Sequence, residues 1–350
     1  MKMPKCQNAT LKLKILMAYI HSLDKSSKKL KFPCPGKNCG QRTLSRYINN
    51  ETLEYFPDPS VGMCDRRDSC GYHLSPRQYY EANGMKHEPS DYQNITPPPP
   101  KKPTTYIDFS FVKKAQLRTM SNYFVDYLNS LFKDELTKFL VEKFHLCPST
   151  KWEGSNIFWQ IDEQYRARTG KIMLYNKLTG KRVKEPRSLI SWVHSEAKWP
   201  DFTLEQCFFG LHQITKDLTN TLGIVESEKT AILMTAIYPD LAWLASGGMT
   251  LSISKFESLT GRKIILFPDA GIGKGGRGTP FEIWSEIADT LKILGFDISV
   301  SNLIENIVTE EQRKKGYDLA DYLIKTDSSG LALAEGDYPL MWDISTNNLK

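Results

Sequence analysis

Apolar residues recur at intervals of three and four positions between Phe111 and His145, which is the spacing of an amphipathic helix. The residues that define this pattern are Leu117, Met120, Tyr123, Phe124, Leu128, Leu131 and Phe132. The pattern predicts a helix over this segment. We expect it to support the domain that follows.

The pattern changes to short β-like runs between Ile157 and Val183. FWQID and KIMLYN carry the β-branched and aromatic residues that strands favour, and the pairs Thr169-Gly170 and Thr179-Gly180 suit hairpin turns. This segment is therefore predicted to form a β-meander.

Beyond Thr221, apolar runs alternate with helical patterns. The runs LGIVE, LAWLA, KIILF and DISVS predict strands, and helices are predicted over Glu228–Ile237, Leu251–Leu259 and Pro280–Leu294. Alternation of this kind is typical of parallel strands joined by crossover helices. We expect a small parallel-sheet α/β domain here.

Four consecutive prolines in TPPPPKKP, Thr96 to Pro103, mark the clearest boundary, because prolines remove backbone donors and favour an extended spacer. The predicted class is α/β, with an N-terminal ribbon, a central β-rich basic subdomain and a C-terminal parallel-sheet domain. The predicted segments are a ribbon domain (1–95), a linker (96–105), a helical and β-rich subdomain (106–220), the α/β domain (221–326) and a tail (327–350).

The chain has 350 residues, of which 40% are hydrophobic and 25% charged, a composition typical of globular proteins. No apolar stretch approaches the roughly 18 residues that a membrane span requires. The N-terminal segment carries lysines among its apolar residues and has no small-residue cleavage site, which argues against a signal peptide. We expect a cytoplasmic protein without a membrane partner.

Four of the seven cysteines form two closely spaced pairs, Cys34-x4-Cys39 and Cys64-x5-Cys70, each in a glycine-bearing turn. Such turns present pairs of thiolates to one zinc ion, so the sequence predicts a structural Zn²⁺ site in a zinc ribbon. Two alternatives are four unrelated free thiols, or His73 replacing one cysteine as a ligand.

The other three cysteines, Cys6, Cys147 and Cys207, lack metal-like partners nearby in the sequence. We interpret them as small apolar residues.

The segment from Gln164 to Arg187 holds eight cations and one acid. Its net charge of +7 exceeds the net charge of +6 for the whole chain. Clustered cations can follow a phosphate backbone while aromatic side chains, here Trp159, Tyr165 and Tyr175, stack on bases. The predicted nucleic-acid ligands are Arg166, Arg168, Lys171, Lys177, Lys181 and Arg182. The alternative is a solvated hairpin face.

Carboxylates follow the predicted strands of the α/β domain. They are Glu226, Asp269, Asp318 and Asp321. In an open parallel sheet the carboxyl ends of strands form the ligand crevice, and converging carboxylates are what Mg²⁺ requires. An acid after a strand can instead cap a helix. The loop GIGKGGRG adds Lys274 and Arg277 as candidate phosphate ligands, although its motif fits neither a dinucleotide fingerprint nor a P-loop. The alternative is a plain flexible connection.

The order of these parts resembles Toprim-domain primases of the bacterial DnaG type, and more closely the compact primase-like proteins of phages and Bacteroidetes mobile elements. In that family the first Toprim strand ends in a glutamate, matched by Glu226. A later Asp-x-Asp pair is matched by Asp269, with Gly271 in place of the second aspartate. A third acidic motif is matched by Asp318 and Asp321.

The middle of the chain adds to the resemblance, which covers roughly Phe32 to Ile324. The family has a core hairpin with a basic turn and a later aromatic-glycine run, here CFFG, and Gly247 and Gly248 stand where Toprim proteins turn after the second strand. The missing acid at position 271 implies that Glu228 or Asp318 compensates, or that the metal site is degenerate.

The resemblance implies a primase-like nucleotidyltransferase in DNA replication. Glu226, Asp269, Asp318 and Asp321 would be catalytic, with Glu226, Asp269 and Asp318 binding Mg²⁺ or Mn²⁺. Single-stranded DNA and nucleoside triphosphates would be its substrates, and any helicase would be a separate protein. Two alternatives remain: a non-catalytic DNA-binding factor for replication or mobilisation, and a Toprim nuclease.

Overall fold

A computed structural model gives the fold of part of the chain. The described residues are 21–24, 30–37, 39–49, 52–66, 70–85, 102–214, 221–273, 278–327, 330–333, 342–343 and 348–349. Cys6, Lys274, Arg277 and most of the predicted linker lie outside them. The described residues of 21–85 form one compact unit, and those of 102–272 and from 278 onward form another.

The first unit is an antiparallel sheet with the strand order β1-β3-β4-β5, in which β2 also pairs with β3. The strands are β1 (His21–Leu23), β2 (Phe32–Pro33), β3 (Arg42–Asn49), β4 (Gly62–Cys64) and β5 (His73–Leu74), and helix α1 (Pro76–Ala82) follows. Between the two cysteine pairs, the run TLSRYIN lies within β3. In the run LEYF that follows, Tyr55 makes a single bridge with Ile48.

The second unit begins with three helices where the sequence predicted one. They are α2 (Phe109–Gln116), α3 (Tyr123–Leu131) and α4 (Asp134–Lys143). The single helix was wrong because polar residues start new helices inside the periodic pattern. Asn122 accepts a hydrogen bond from the N–H of Val125 as the cap of α3, and Asp134 opens α4 in its acidic first turn.

A four-stranded antiparallel sheet follows, with the order β6-β7-β8-β9. Its strands are β6 (Cys147–Pro148), β7 (Asn156–Ile161), β8 (Ala167–Met173) and β9 (Ile190–Trp192), followed by the short helix α5 (Val193–Ala197). The turn predicted at Thr169-Gly170 was wrong, because both residues lie within β8. Gly170 lies so close to the neighbouring strand β7 that a Cβ at this position would stand 2.7 Å from the side chain of Ile157.

The α/β domain has four parallel strands in the order β11-β10-β12-β13. The strands are β10 (Leu222–Val225), β11 (Ala242–Ala245), β12 (Lys263–Phe267) and β13 (Asp297–Val300), and the main helices are α6 (Glu228–Ile237) and α7 (Pro280–Ile293). A 3₁₀ segment spans Ile253–Leu259. The alternation of strands and helices predicted for this domain is confirmed element by element.

Short elements complete the second unit and the tail. They are α8 (Leu303–Ile307), α9 (Glu310–Lys315), α10 (Leu319–Leu323), β14 (Ile324–Asp327), β15 (Gly330–Leu333), β16 (Trp342–Asp343) and β17 (Asn348–Leu349). Strands β14 and β15 form one antiparallel pair, and β16 and β17 form another. None of the helices in the described ranges is long and apolar enough to cross a bilayer.

The parallel sheet is buried on both faces. Alternate residues of β12, such as Ile265 and Phe267, pack in one core with α6, the helices α3 and α4, and Phe158 of β7. Ile264 and Leu266 point into the second core with Trp284 of α7. The helices, the antiparallel sheet and the parallel sheet therefore share one continuous core, although the sequence predicted two successive subdomains.

Candidate functional site

Four cysteine sulfurs converge in the first unit. The ligand atoms of Cys34, Cys39, Cys64 and Cys70 all lie within 4.8 Å of one another. The Sγ atoms of Cys34 and Cys70 are 3.7 Å apart, and those of Cys39 and Cys64 are 3.9 Å apart. Tetrahedral zinc with bonds of about 2.3 Å requires sulfur separations near 3.8 Å. The predicted zinc site is therefore supported by its geometry.

Local backbone geometry brings these sulfurs together. Gly36 lies in the first knuckle, where a Cβ would stand 2.7 Å from the Sγ of Cys70, so only glycine fits without movement. Hydrogen bonds from the backbone of Gln41 lower the pKa of Cys39 to about 6. Burial raises the pKa of Cys34 to about 12. A zinc ion would stabilise both as thiolates.

His73, Cys147 and Cys207 lie outside the four-sulfur group. The ring Nε2 of His73 is 2.8 Å from the hydroxyl of Tyr47, and His73 is not part of the four-sulfur group. Cys147 and Cys207 are buried, as expected for small apolar residues. Cys147 also accepts a hydrogen bond from the indole of Trp159.

Three of the cations predicted to bind nucleic acid are instead committed to buried carboxylates. Arg166 and Arg168 both donate to Asp162, whose side chain is fully buried at the hairpin turn. Burial alone would raise the pKa of Asp162, but hydrogen bonds from both arginines lower it. These arginines therefore stabilise the turn between β7 and β8.

Lys171 is the third such cation. Its Nζ lies 3.1 Å from Oε1 of Glu228 at the start of α6 and 2.9 Å from the carbonyl oxygen of Gly247. Both charged side chains are almost fully buried. Lys171 therefore fastens the antiparallel sheet to the edge of the parallel sheet. Glu228 is neutralised by this pair, which makes it unsuited to replace the acid missing at position 271.

The segment between β8 and β9 carries the exposed cations of the hairpin. They are Lys177, Lys181, Arg182, Lys184 and Arg187. The predicted turn at Thr179-Gly180 is confirmed, because Gly180 has a positive φ and donates to the carbonyl oxygen of Asn176. We call residues 176–187, which carry these cations, the basic arm.

The aromatic residues predicted to stack on bases also divide into buried and exposed side chains. Trp159 and Tyr175 are core residues with almost no exposed surface. Tyr165 keeps about half of its surface exposed. Stacking by Trp159 or Tyr175 was therefore a wrong prediction, since both side chains pack in the hydrophobic core.

The predicted acids lie at the carboxyl edge of the parallel sheet. Glu226 directly follows β10, Asp269 lies two residues after β12, and Asp318 and Asp321 form the capping box of α10. The backbone N–H of Asp269 donates to Oε1 of Glu226 at 3.2 Å. These four residues, Glu226, Asp269, Asp318 and Asp321, are called the acid cluster below.

The acids repel one another in a poorly solvated place. Burial, opposed by the N–H of Asp269 and reinforced by the charge of Asp318, raises the pKa of Glu226 to about 7. Burial and the charge of Glu226 raise the pKa of Asp269 well above its usual range. Burial and Asp318 also raise the pKa of Asp321. The cluster therefore has more negative charge than its surroundings neutralise.

A residue that sequence reasoning missed partly offsets this charge. Nζ of Lys229 lies 3.8 Å from Asp318 and 3.6 Å from Asp321. Burial alone would lower the pKa of Lys229, but the charges of Asp318 and Asp321 raise it. Its position three residues after Glu226 was the available sequence signal, because the first turn of α6 begins beside the strand end.

Position 271 has no room for the acid expected there. A Cβ on Gly271 would stand 2.8 Å from Cγ of Pro280, the first residue of α7. That distance is shorter than real Cβ contacts, and the ring of Pro280 is rigid. Packing of α7 against the strand end thus explains the glycine.

The carboxylate oxygens of the acid cluster suit a hard divalent cation, but their spacing limits how many of them can bind one ion. Across the described ranges, the four cysteines are the only group of three or more His, Cys, Asp or Glu residues placed to hold one metal ion together. Three acids therefore do not close directly around one ion in this conformation. Mg²⁺ commonly takes one or two carboxylates, with waters and substrate phosphates in its other positions. Glu226 and Asp269 fit that smaller role.

Comparison with known proteins gives two family matches. Residues 19–85 match a family described as a zinc β-ribbon finger, and residues 122–270 match a family described as a domain of unknown function (DUF6371). No curated protein matches the chain in sequence.

Two solved structures are similar to the chain. The primase fragment of the bacteriophage T7 primase-helicase protein has 11% identity and a TM-score of 0.34, covering 78% of this chain and 89% of that one. The zinc-binding and RNA polymerase domains of Aquifex aeolicus primase have 12% identity and a TM-score of 0.30, covering 85% of this chain and 76% of that one.

Proposed function

We propose that this chain is a primase-like nucleotidyltransferase of the Toprim type, dependent on Mg²⁺ or Mn²⁺ and acting on single-stranded DNA. The observation that carries the proposal is the gathering of four acids at the carboxyl edge of a parallel sheet, where burial and then mutual repulsion raise the pKa values of Glu226, Asp269 and Asp321. A site with this excess of negative charge is built to receive a cation.

In nucleotidyl transfer a hydroxyl oxygen attacks the α-phosphorus of a nucleoside triphosphate, a new P–O bond forms and pyrophosphate leaves. A bound divalent ion would neutralise the phosphate charge in this reaction. Glu226 and Asp269 would hold that ion, and the backbone N–H of Asp269 fixes the Glu226 carboxylate for this role. Asp318 and Asp321 are kept in place by their own capping hydrogen bonds.

The basic arm would hold the template strand. Its cations Lys177, Lys181 and Arg182 are exposed, whereas Arg166, Arg168 and Lys171 pair with acids. Contacts between exposed cations and phosphates supply affinity without sequence preference. The zinc ribbon would contribute template reading as a separate unit.

The test is synthesis of labelled oligoribonucleotides on single-stranded DNA with Mg²⁺ or Mn²⁺. Asp269→Asn is expected to reduce the rate by about 100-fold or more, because it removes a carboxylate that would hold the divalent ion at the transferred phosphate. The matched control is Asp289→Asn, which removes an exposed acid on α7 and should leave the rate unchanged. Equal rates for the wild type and Asp269→Asn would refute the proposal.

A second function is favoured by two observations at the same place. Lys229 already faces two of the acids, and Pro280 excludes an acid at position 271. Both features suit a metal-independent DNA-binding factor of replication or mobilisation. Salt-dependent binding of single strands, without nucleotide incorporation under any divalent ion, would establish this alternative. Nicking of DNA in the absence of nucleotides would instead indicate a nuclease.

A further inference from the structure

Lys229 interacts with Asp318 and Asp321 of the acid cluster by electrostatic attraction, at distances too long for hydrogen bonds. Its side chain is 12% exposed, and its Nζ stands 3.8 Å from Oδ2 of Asp318 and 3.6 Å from Oδ1 of Asp321. Both distances exceed the usual range of N–H···O hydrogen bonds. The ammonium group therefore lies between two carboxylates without being bonded tightly to either.

The two aspartates do not depend on Lys229 for their position. Oδ2 of Asp318 accepts the hydroxyl hydrogen of Thr230 at 2.7 Å, and its Oδ1 accepts the N–H of Asp321 at 2.7 Å. Asp321 in turn accepts the N–H of Asp318, which completes the capping box of α10. Because these bonds fix both carboxylates, the contribution of Lys229 is its positive charge.

That charge lies where a metal ion would have to bind in order to use Asp318 or Asp321 as a ligand. A cation bound to Asp318 or Asp321 would stand within a few ångströms of the ammonium group, where two positive charges repel strongly in a poorly solvated site. A divalent ion and Lys229 therefore compete for the same two carboxylates.

We infer that Lys229 is a resident counter-ion of Asp318 and Asp321, which a divalent cation held by Glu226 and Asp269 must displace in order to gain these two carboxylates as further ligands. The inference rests on the metal site of the proposed function. It explains why the cluster is stable without metal, and it assigns to Lys229 the setting of the metal affinity. The released ammonium group would then be free to face the phosphates of a nucleotide.

The first experiment measures Mn²⁺ affinity by isothermal titration calorimetry and by the electron paramagnetic resonance of free Mn²⁺. Lys229→Met is expected to bind Mn²⁺ at least tenfold more tightly than the wild type, because the competing charge is gone. Lys255→Met is the matched control. It also removes a partly buried lysine, but one that donates to the backbone oxygen of Ser246. Its Mn²⁺ affinity should equal that of the wild type.

Unchanged or weaker Mn²⁺ binding by Lys229→Met overturns the inference, as does the absence of binding by both proteins. The wild type provides a second readout that is independent of folding of the variant. Acylation of Lys229, followed by mass spectrometry, should be slow without metal and at least several-fold faster at saturating Mg²⁺, while Lys255 stays constant. A labelling rate of Lys229 that does not respond to Mg²⁺ also overturns the inference.

These results separate the inference from the proposed function. Tighter Mn²⁺ binding by Lys229→Met without oligonucleotide synthesis by any variant would retain the counter-ion and reject the enzyme. Synthesis by the wild type, together with weaker Mn²⁺ binding by Lys229→Met, would retain the enzyme and reject the counter-ion.

Discussion

Ion pairs determine which cations of the hairpin segment reach solvent. Arg166, Arg168 and Lys171 have the same sequence character as Lys177 and Lys181, yet only the latter two are exposed. The difference lies in acids that are near in space. Asp162 is within the turn itself, whereas Glu228 is 57 residues beyond Lys171. Local sequence could suggest the first pair, but only the tertiary fold reveals the second.

Arg168 is therefore expected to contribute to stability more than to binding. Arg168→Ala leaves the buried Asp162 with one arginine in place of two, which should cost about 3 kcal/mol in the free energy of unfolding. Urea denaturation measures this loss, and affinity for single-stranded DNA should not change. Arg187→Ala, which removes an exposed arginine, is the control and should leave the unfolding free energy within about 0.5 kcal/mol. The reverse pattern would contradict this assignment.

Glu226 gives the stability a specific pH dependence. Its pKa is about 7 in the folded chain and lower when unfolded, so the folded state binds the extra proton. Stability linked to Glu226 is present below its unfolded pKa and is lost as pH rises through about 7. Glu226→Gln should raise the unfolding free energy by roughly 1–3 kcal/mol at pH 8 and by little at pH 5.

Denaturation of wild type and Glu226→Gln at both pH values, without divalent ions, tests this expectation. Asp297→Asn, at an exposed strand start of the same sheet, serves as the control and should show no comparable difference. A stabilisation by Glu226→Gln that is equal at pH 5 and pH 8 would argue against a raised pKa.

Gly271 is predicted to be a packing position. Gly271→Asp should destabilise the second unit by about 1–3 kcal/mol, because its Cβ overlaps Pro280. Gly271→Ala introduces the same Cβ without the charge and should cost a similar amount. A Gly271→Asp variant with wild-type stability and tighter Mn²⁺ binding would show that the site accepts an aspartate at this position.

Strands β10, β11 and β12 of the parallel sheet were predictable because each contains a run of buried apolar residues. KIILF sends Ile264 and Leu266 to one core and Ile265 and Phe267 to the other, so no polar alternation obscures the signal. The helix predicted from Phe111 to His145 failed for the opposite reason. Its periodicity persists across Asn122, whose side chain starts a new helix. Periodicity records which side is buried, whereas caps decide where a helix ends.

The candidate site was predictable in part, for a related reason. Strand ends locate Glu226 and Asp269, and the cysteine spacing locates the zinc ligands. Lys229 and the tie between Lys171 and Glu228 depend on how helix α6 docks on two sheets, which no local pattern encodes.

The basic arm carries the prediction for nucleic-acid binding. Replacing Lys177, Lys181 and Arg182 together by alanine should weaken binding of single-stranded DNA and reduce the slope of log affinity against log salt by about 2, since roughly 0.7 counterion is released per contact. Fluorescence anisotropy over a series of salt concentrations measures both quantities. The control replaces Lys292 and Lys315, which are exposed but paired on helices α7 and α9. An unchanged slope in the arm variant would place the DNA elsewhere.

Two compact units predict two independent responses to metal removal. The ribbon unit has a small core of Leu44, Cys34 and Cys64, so its folding depends on zinc. Chelation, or Cys64→Ser, should abolish its protease resistance. The second unit has a large core of its own and should keep its melting temperature within about 2 °C. Cys207→Ser, outside the zinc site, should leave the protease resistance of the ribbon unchanged. Loss of both units on chelation would contradict their independence.

The contacts of Lys171 fix the distance between the start of the basic arm and the acid cluster in the second unit. Strand β8 runs directly into the basic arm, and Lys171 fastens that strand to Glu228 and Gly247, both beside Glu226. The arm's root and the acid cluster are thus held at a constant separation. Under the proposed function, a template lying along the arm would reach the site of synthesis after a set number of nucleotides. The fixed separation between the arm and the acid cluster would then determine where synthesis starts on the template, independently of base identity.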